Sequence, residues 1–202
     1  MIERIRPILD RPFFYEFYHH LIGADYRSRV MVSEYIRPKP TDRILDIGCG
    51  PGNMLPFLPQ CGYLGVDASE SYIESARRRY SHRGEFLCQR VSHHTVGELG
   101  AFDIVLALGL THHLEDDEAR DLFRLGHTAL KPGGRMITMD GVYYPGQSAA
   151  KRYMLSRDRG RFIRTQDEYL KLAHSWFPDV KAHVREDVLR IPYTTLVLEC
   201  TR

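Results

Sequence analysis

The chain has 202 residues, 43% of them hydrophobic and 27% charged, which suits one ordinary globular domain and leaves two full domains cramped. Its formal net charge of +2 is too small to demand a nucleic-acid partner. No apolar stretch approaches the roughly 18 residues needed to cross a bilayer, and MIERIRPILDRPFFYEFYHH mixes charges into its apolar residues where a signal peptide would carry an apolar core, so a cytoplasmic location is expected.

In chain order, the first element is an aromatic helical extension, FFYEFYHHLIGADYRSRVMVSEYI, which RPKPT at 37–41 ends because Pro38 and Pro40 cannot continue a helix. Short β-rich runs then alternate with helices. RILDIG (43–48), YLGVDA (63–68), GEFLCQR (84–90), FDIVLALG (102–109) and RMITMDG (135–141) read as strands. Between them, SESYIESARRRYS and EDDEARDLFRLGHTAL read as helices. The second begins with acids and ends near Lys131, Pro132 and Gly133, as a helix dipole and stop require. Alternation of this kind implies a mostly parallel sheet covered on both faces.

The last third departs from the pattern. An insert, DGVYYPGQSAAKRYMLSRDRGRFIRT, precedes a helix that Thr165 and Glu168 open with a capping box. VKAHVRED and TTLVLEC follow, joined by too short a segment for a parallel crossover, so they must pair antiparallel, the final strand entering the sheet. The expectation is an α/β, Rossmann-like, doubly wound sheet of about seven strands with an antiparallel last strand and an N-terminal helical extension. It forms one domain over 1–202, with an extension at 1–40, a core at 41–140 and an insert with the terminal strand pair at 141–202. The cysteines Cys49, Cys61, Cys88 and Cys200 show no CxxC pairing and read as reduced, mostly buried thiols.

In such sheets a ligand sits beyond the carboxyl ends of the strands, where the first strand here ends in ILDIGCGPGN. Gly48, Gly50 and Gly52 follow GxGxG, and Asn53 stands where a dinucleotide fingerprint has its third glycine. Asp46 would also place a carboxylate beside a pyrophosphate. Both features argue against a nicotinamide-dependent oxidoreductase and favour a cation. Asp67, 19 residues beyond Gly48, is spaced to take the two hydroxyls of a ribose. A ligand with an adenosine ribose and a cationic amino-acid part, such as S-adenosylmethionine, satisfies all three.

Taken in order, ILDIGCGPGN, GVDAS, FDIVLALGLTHHL and LKPGGRMITMDG resemble the motifs of class I S-adenosylmethionine-dependent methyltransferases. The resemblance covers residues 41–140, and the paired terminal strands extend it. It implies an enzyme that turns S-adenosylmethionine into S-adenosylhomocysteine. Gly48, Cys49 and Gly50 would line its methionine part, Asp67 its ribose and Ala68 its adenine, with Asp46 and Leu108 completing the cofactor site. Many relatives carry an acid after the third strand to accept from the adenine amino group; Gln89 and Arg90 stand there instead, as adenine contacts or plain loop residues.

Methyl transfer from a sulfonium needs alignment, exclusion of water and, for an oxygen nucleophile, removal of a proton. His112 and His113 in LGLTHHLEDD are the candidate bases, His112 favoured because His113 matches the more structural family position; packing roles are the alternative. No HxxxH or HExxH spacing supports a metal, including at His19–His20 and His93–His94. The resemblance places the substrate lid in the extension and the insert, where Tyr18, Tyr143, Tyr144, Arg159 and Arg161 are candidate substrate contacts. The insert's basic cluster, Lys151, Arg152, Arg157, Arg159, Arg161 and Arg164, opposed only by Asp158, is either a solvated surface or a site for an acidic group. A small, anionic metabolite is therefore the expected acceptor, in place of RNA or of a catalytically idle cofactor-binding protein. No membrane partner is expected, and the oligomeric state is left open.

Overall fold

A computed structural model describes residues 23–90, 96–97 and 99–202. The extension is visible from α1 (Ala24–Val30), which passes directly into a wider π-helical turn, Met31–Ile36. Arg37 then takes a left-handed conformation (φ 44°) and Pro38 follows, so the helix stops where the prolines require. Expectations on Tyr18, His19 and His20, and on His93 and His94, lie outside the described residues.

The sheet contains β1 (Arg43–Ile47), β2 (Gly62–Asp67), β3 (Glu85–Cys88), β4 (Phe102–Leu108), β5 (Leu130–Tyr143), a two-residue β6 (Arg164–Thr165), β7 (Asp179–Arg185) and β8 (Thr195–Thr201). Its main path runs β3-β2-β1-β4-β5-β8-β7, and β6 pairs only with β5. The first five strands are parallel, whereas β8 pairs antiparallel with both β5 and β7, Thr138 lying opposite Leu198 and Ala182 opposite Leu198 on the other side. The expected insertion of the last strand is met. One strand is longer than its sequence suggested: β5 begins at Leu130, because the chain turns from helix straight into extended backbone at the Lys131–Gly134 stretch.

Strand side chains alternate between two cores, as period-two geometry dictates. Leu45, Leu64, Val105 and Ala107 face α3 (Asp116–Ala129) and α5 (Gln166–His174), meeting Leu122, Phe123, Tyr169 and Leu172. Ile44, Ile104, Ile137 and Val197 face the other way, onto Met31 and Ile36 of the extension and Ile73 and Ala76 of α2 (Glu70–Tyr80). Helix starts follow their caps. Ser69 accepts from the Tyr72 amide, Ser148 accepts from the Lys151 amide at the start of α4 (Ala149–Ser156), and Glu115–Glu118 and Thr165–Glu168 form capping boxes. Between β1 and β2 the chain makes only turns and a 3₁₀ turn at Leu55–Phe57, since Pro51, Pro56 and Pro59 interrupt any longer helix.

Of the thiols, Cys49 and Cys200 are buried, Cys61 is half-buried and Cys88 is exposed. Among the described residues no helix is long and apolar enough to cross a membrane, and no group of three or more His, Cys, Asp or Glu is arranged to hold a metal ion.

Candidate active site

At the carboxyl end of β1 the chain turns back through glycines with positive φ, Gly48 at 74°, Gly50 at 54° and Gly52 at 77°. The amides of Gly48 and Cys49 both donate to the Val66 carbonyl, at 2.8 and 3.2 Å, which fastens the turn to β2. A Cβ at Gly48 would press on Leu110, and one at Gly50 would meet nothing within 4 Å. Gly50 therefore borders open space, where backbone can approach a ligand closely.

Asp67 ends β2 beside this turn. Its Oδ2 accepts from the Gly50 amide at 2.9 Å and its Oδ1 from the Ser69 amide at 2.8 Å. Each oxygen keeps a further lone pair, so the carboxylate is held in orientation while still able to accept from a diol. Asp46 lies deeper, its Oδ2 accepting from the Tyr63 hydroxyl at 2.7 Å. Burial pushes its carboxyl up to about 6, the Tyr63 hydrogen bond opposing and the Asp67 charge reinforcing the rise. Cys49 fits because β2 carries Gly65, where a Cβ would strike its sulfur. Its thiol is pushed far up by burial, so it is no nucleophile. Ala68 is exposed beyond Asp67, Leu108 is half-buried at the end of β4, and the Gln89 amide donates to the Asp67 carbonyl at 3.0 Å, which brings the Gln89–Arg90 pair to the same rim.

The two histidines occupy a 3₁₀ turn after β4, Thr111–His113, and their environments differ sharply. His112 is buried. Its Nδ1 lies 2.7 Å from Asp140 Oδ1 and its Nε2 3.5 Å from Asp158 Oδ1. Burial alone would lower its pKa, but the Asp140 hydrogen bond with the charges of Asp140 and Asp158 outweighs burial and holds it above the ordinary value. His113 is exposed, its ring centroid 4.3 Å from that of His112, and burial of part of the ring together with the His112 charge lowers its pKa. The Arg159 charge acts weakly in the same direction.

The remaining candidates separate. Tyr143 is half-buried at the end of β5 under the Arg152 guanidinium, 5.7 Å from its ring centroid, and Tyr144 is exposed. Arg161 does not join them: it lines a groove with Asp116, Arg120, Phe162 and Lys171 on the α3 and α5 side. The basic cluster is thus not one surface. Arg164, one of its six members, is buried and donates to the carbonyls of Thr111, Phe162 and Leu114 and to Asp116 Oδ1, so it ties chain segments together.

Asp140, Asp158 and Tyr193 are site residues that sequence reasoning missed. Asp140 carried a signal, an acid ending an apolar strand as Asp46 and Asp67 do. Asp158 carried another, as the sole acid among six bases. Tyr193 carried none, since its position is set by a loop from the far edge of the sheet.

The methyltransferase domain family matches residues 44–134. The chain is 32% identical over 123 residues to a ubiquinone biosynthesis O-methyltransferase of Ruegeria pomeroyi, covering 56% of this chain and 49% of that protein. It is 30% identical over 176 residues to an aclacinomycin 10-hydroxylase of Streptomyces purpurascens, covering 78% of this chain and 45% of that one. Magnesium protoporphyrin IX methyltransferase of Synechocystis, solved with bound S-adenosylhomocysteine, superposes with a TM-score of 0.64 at 18% identity, over 89% of this chain and 82% of that one. The chain spans about half the length of the two curated relatives.

Proposed function

Because residues 44–134 match the methyltransferase domain family, we propose that this chain transfers a methyl group from S-adenosylmethionine to a small metabolite bearing an acidic group. The observation that carries the reading is the open backbone at Gly50 beside an Asp67 carboxylate already oriented by two amides. The residues fit the cofactor. Gly48, Cys49 and Gly50 would hold the methionine part, Asp67 the ribose, and Ala68, Gln89, Arg90 and Leu108 the adenine side. When bound, S-adenosylmethionine supplies a methyl on a sulfonium that needs no further activation.

The chain's own residues then orient the acceptor and move its proton. His113 is the better base for a hydroxyl acceptor, because a neutral imidazole at pH 7 has a lone pair to give, whereas His112 has a carboxylate at each nitrogen. Arg159, whose positive charge acts on His113, is the arginine proposed to attract an acidic group on the acceptor. Tyr143 and Tyr144 lie at the root of the insert that would cover it.

Asp46 provides an independent check on cofactor charge. A cation bound near a carboxyl titrating at about 6 favours its ionised form and lowers its pKa, so binding expels a proton. Calorimetric titration with S-adenosylmethionine at pH 6 in two buffers of different ionisation enthalpy is expected to show release of about half a proton, vanishing by pH 8. No binding of S-adenosylmethionine at any pH would sink the reading.

A second reading, a cofactor-binding protein that does not transfer the methyl, is favoured by the relative that is named a hydroxylase. Production of S-adenosylhomocysteine across a panel of acidic and hydroxylated metabolites separates the two.

A further inference from the structure

Among the described residues, several of the ties between the insert that joins β5 to β6 and the histidine turn involve His112 or Asp158. The Phe162 amide donates to the His112 carbonyl at 3.0 Å. Gly160 lies so close to the His112 ring that a Cβ there would overlap it. Asp158 Oδ1 accepts from the Gly160 amide at 2.8 Å and lies 3.5 Å from His112 Nε2, and its Oδ2 accepts from the Tyr193 hydroxyl at 2.8 Å. Arg164, just after the insert, adds ties to the Thr111 and Leu114 carbonyls. His112 itself is fixed from below, since Asp140 Oδ1 accepts both from its backbone amide at 3.1 Å and from Nδ1. Asp140 is fully occupied on that oxygen, so Nε2 is the one nitrogen through which the histidine reaches the insert.

We propose that Asp158 is a positioning residue: paired with the protonated ring of His112, it holds residues 157–163 closed over the acceptor side of the site, and loss of the His112 proton releases them. The proposal rests on the reading of this end of the sheet as an active site. The electrostatics are asymmetric. With both nitrogens protonated, the imidazolium donates to Asp140 and attracts Asp158. With Nε2 deprotonated, a lone pair faces a carboxylate and nothing holds the insert at that point.

The groups that face the ring from each packed element are Asp140 from β5 and Asp158 from the insert, which favour its charge, Arg164 from β6, which disfavours it, and the adjacent His113. The Tyr193 hydroxyl bonds Asp158 on its far side and competes for none of the ring nitrogens. The closed form thus binds the proton more tightly than a form with the insert detached. Closure is fully favoured below about 6.5, the ordinary histidine value, and is lost as pH rises through the raised one. An enzyme built this way admits and releases its acceptor more readily on the alkaline side of neutrality.

Hydrogen exchange of the peptide covering residues 157–163, in the protein without ligand and corrected for the intrinsic effect of pH, tests this directly. The Phe162 amide, which donates to the His112 carbonyl, reports the closed form, and peptides of α3 serve as the reference for global stability. From pH 6 to pH 8.5 the protection of this peptide should fall about tenfold while α3 stays constant. Asp158→Asn, which keeps the shape and removes the charge, should show low protection at both pH values and no fall. Tyr193→Phe, which removes the other tie on Asp158, should retain the fall. Constant protection in the parent protein, an undiminished fall in Asp158→Asn, or its disappearance in Tyr193→Phe would each overturn the proposal. Calorimetry with S-adenosylmethionine on the same samples keeps the two readings apart. Binding with flat exchange removes only the positioning role, and a normal fall without binding removes only the methyltransferase reading.

Discussion

Replacing Asp67 by alanine is expected to weaken S-adenosylmethionine binding about a hundredfold. A carboxylate that accepts from both ribose hydroxyls makes two charge-assisted hydrogen bonds, each worth roughly 1.5–3 kcal/mol. About 3 kcal/mol in all corresponds to two decades in the dissociation constant. The cost has a second source. Asp67 also accepts from the Gly50 and Ser69 amides, so alanine leaves two backbone donors without their partner and loosens the glycine turn that borders the ligand. Asp67→Asn retains one acceptor oxygen and should fall between the two, at about tenfold. Calorimetric dissociation constants check both variants, and a loss of less than threefold for Asp67→Ala would remove this carboxylate from the cofactor site.

The second large effect concerns stability. Arg164→Ala should lower stability by about 3 kcal/mol, because removing the buried guanidinium leaves three backbone carbonyls without their donor. The guanidinium is 7% exposed and satisfies the Thr111, Leu114 and Phe162 carbonyls as well as Asp116. At about 2–4 °C per kcal/mol for a chain of this size, the melting temperature should drop by about 6–12 °C. Arg164→Lys should recover little of it, since one ammonium cannot reach four acceptors that a planar fork spans. Asp116→Asn should cost far less, because that carboxylate is 64% exposed and water replaces the interaction. Thermal melts of the three variants check the order. Equal losses for Arg164→Ala and Asp116→Asn would mean that the ion pair, and not the carbonyl ties, carries the stability.

Arg164 shows where linear reading reaches its limit. In the sequence it is one of six bases within KRYMLSRDRGRFIR, and nothing local separates it from Arg159 or Arg161. The fold gives the three different surroundings: Arg164 is buried on β6, Arg161 lines the groove beside α5, and Arg159 is exposed. The histidines behave similarly. Adjacent in sequence and alike in chemistry, they are driven apart in proton affinity by Asp140, 28 residues later, and by Asp158 in the insert. That difference in proton affinity is the ground on which His113 is proposed as the base.

What the sequence determined by itself is whatever short-range physics controls. Alternating apolar periods set the strands and helices. Ser69, Glu115 and Thr165 marked helix starts by hydrogen bonds within three residues. The short segment after VKAHVRED ruled out a parallel crossover and so placed the last strand. The glycine turn and Asp67 belong here as well, because they lie at the ends of two consecutive strands, β1 and β2, that pair in parallel, so that sequence spacing translates into distance. Only the tertiary structure decided which side chains meet across the sheet. Asp140, Asp158 and Tyr193 come to His112 from three segments whose separation along the chain carries no information about their separation in space. Their consequence is electrostatic, and a charge acts over a few ångströms of folded protein irrespective of how many residues lie between.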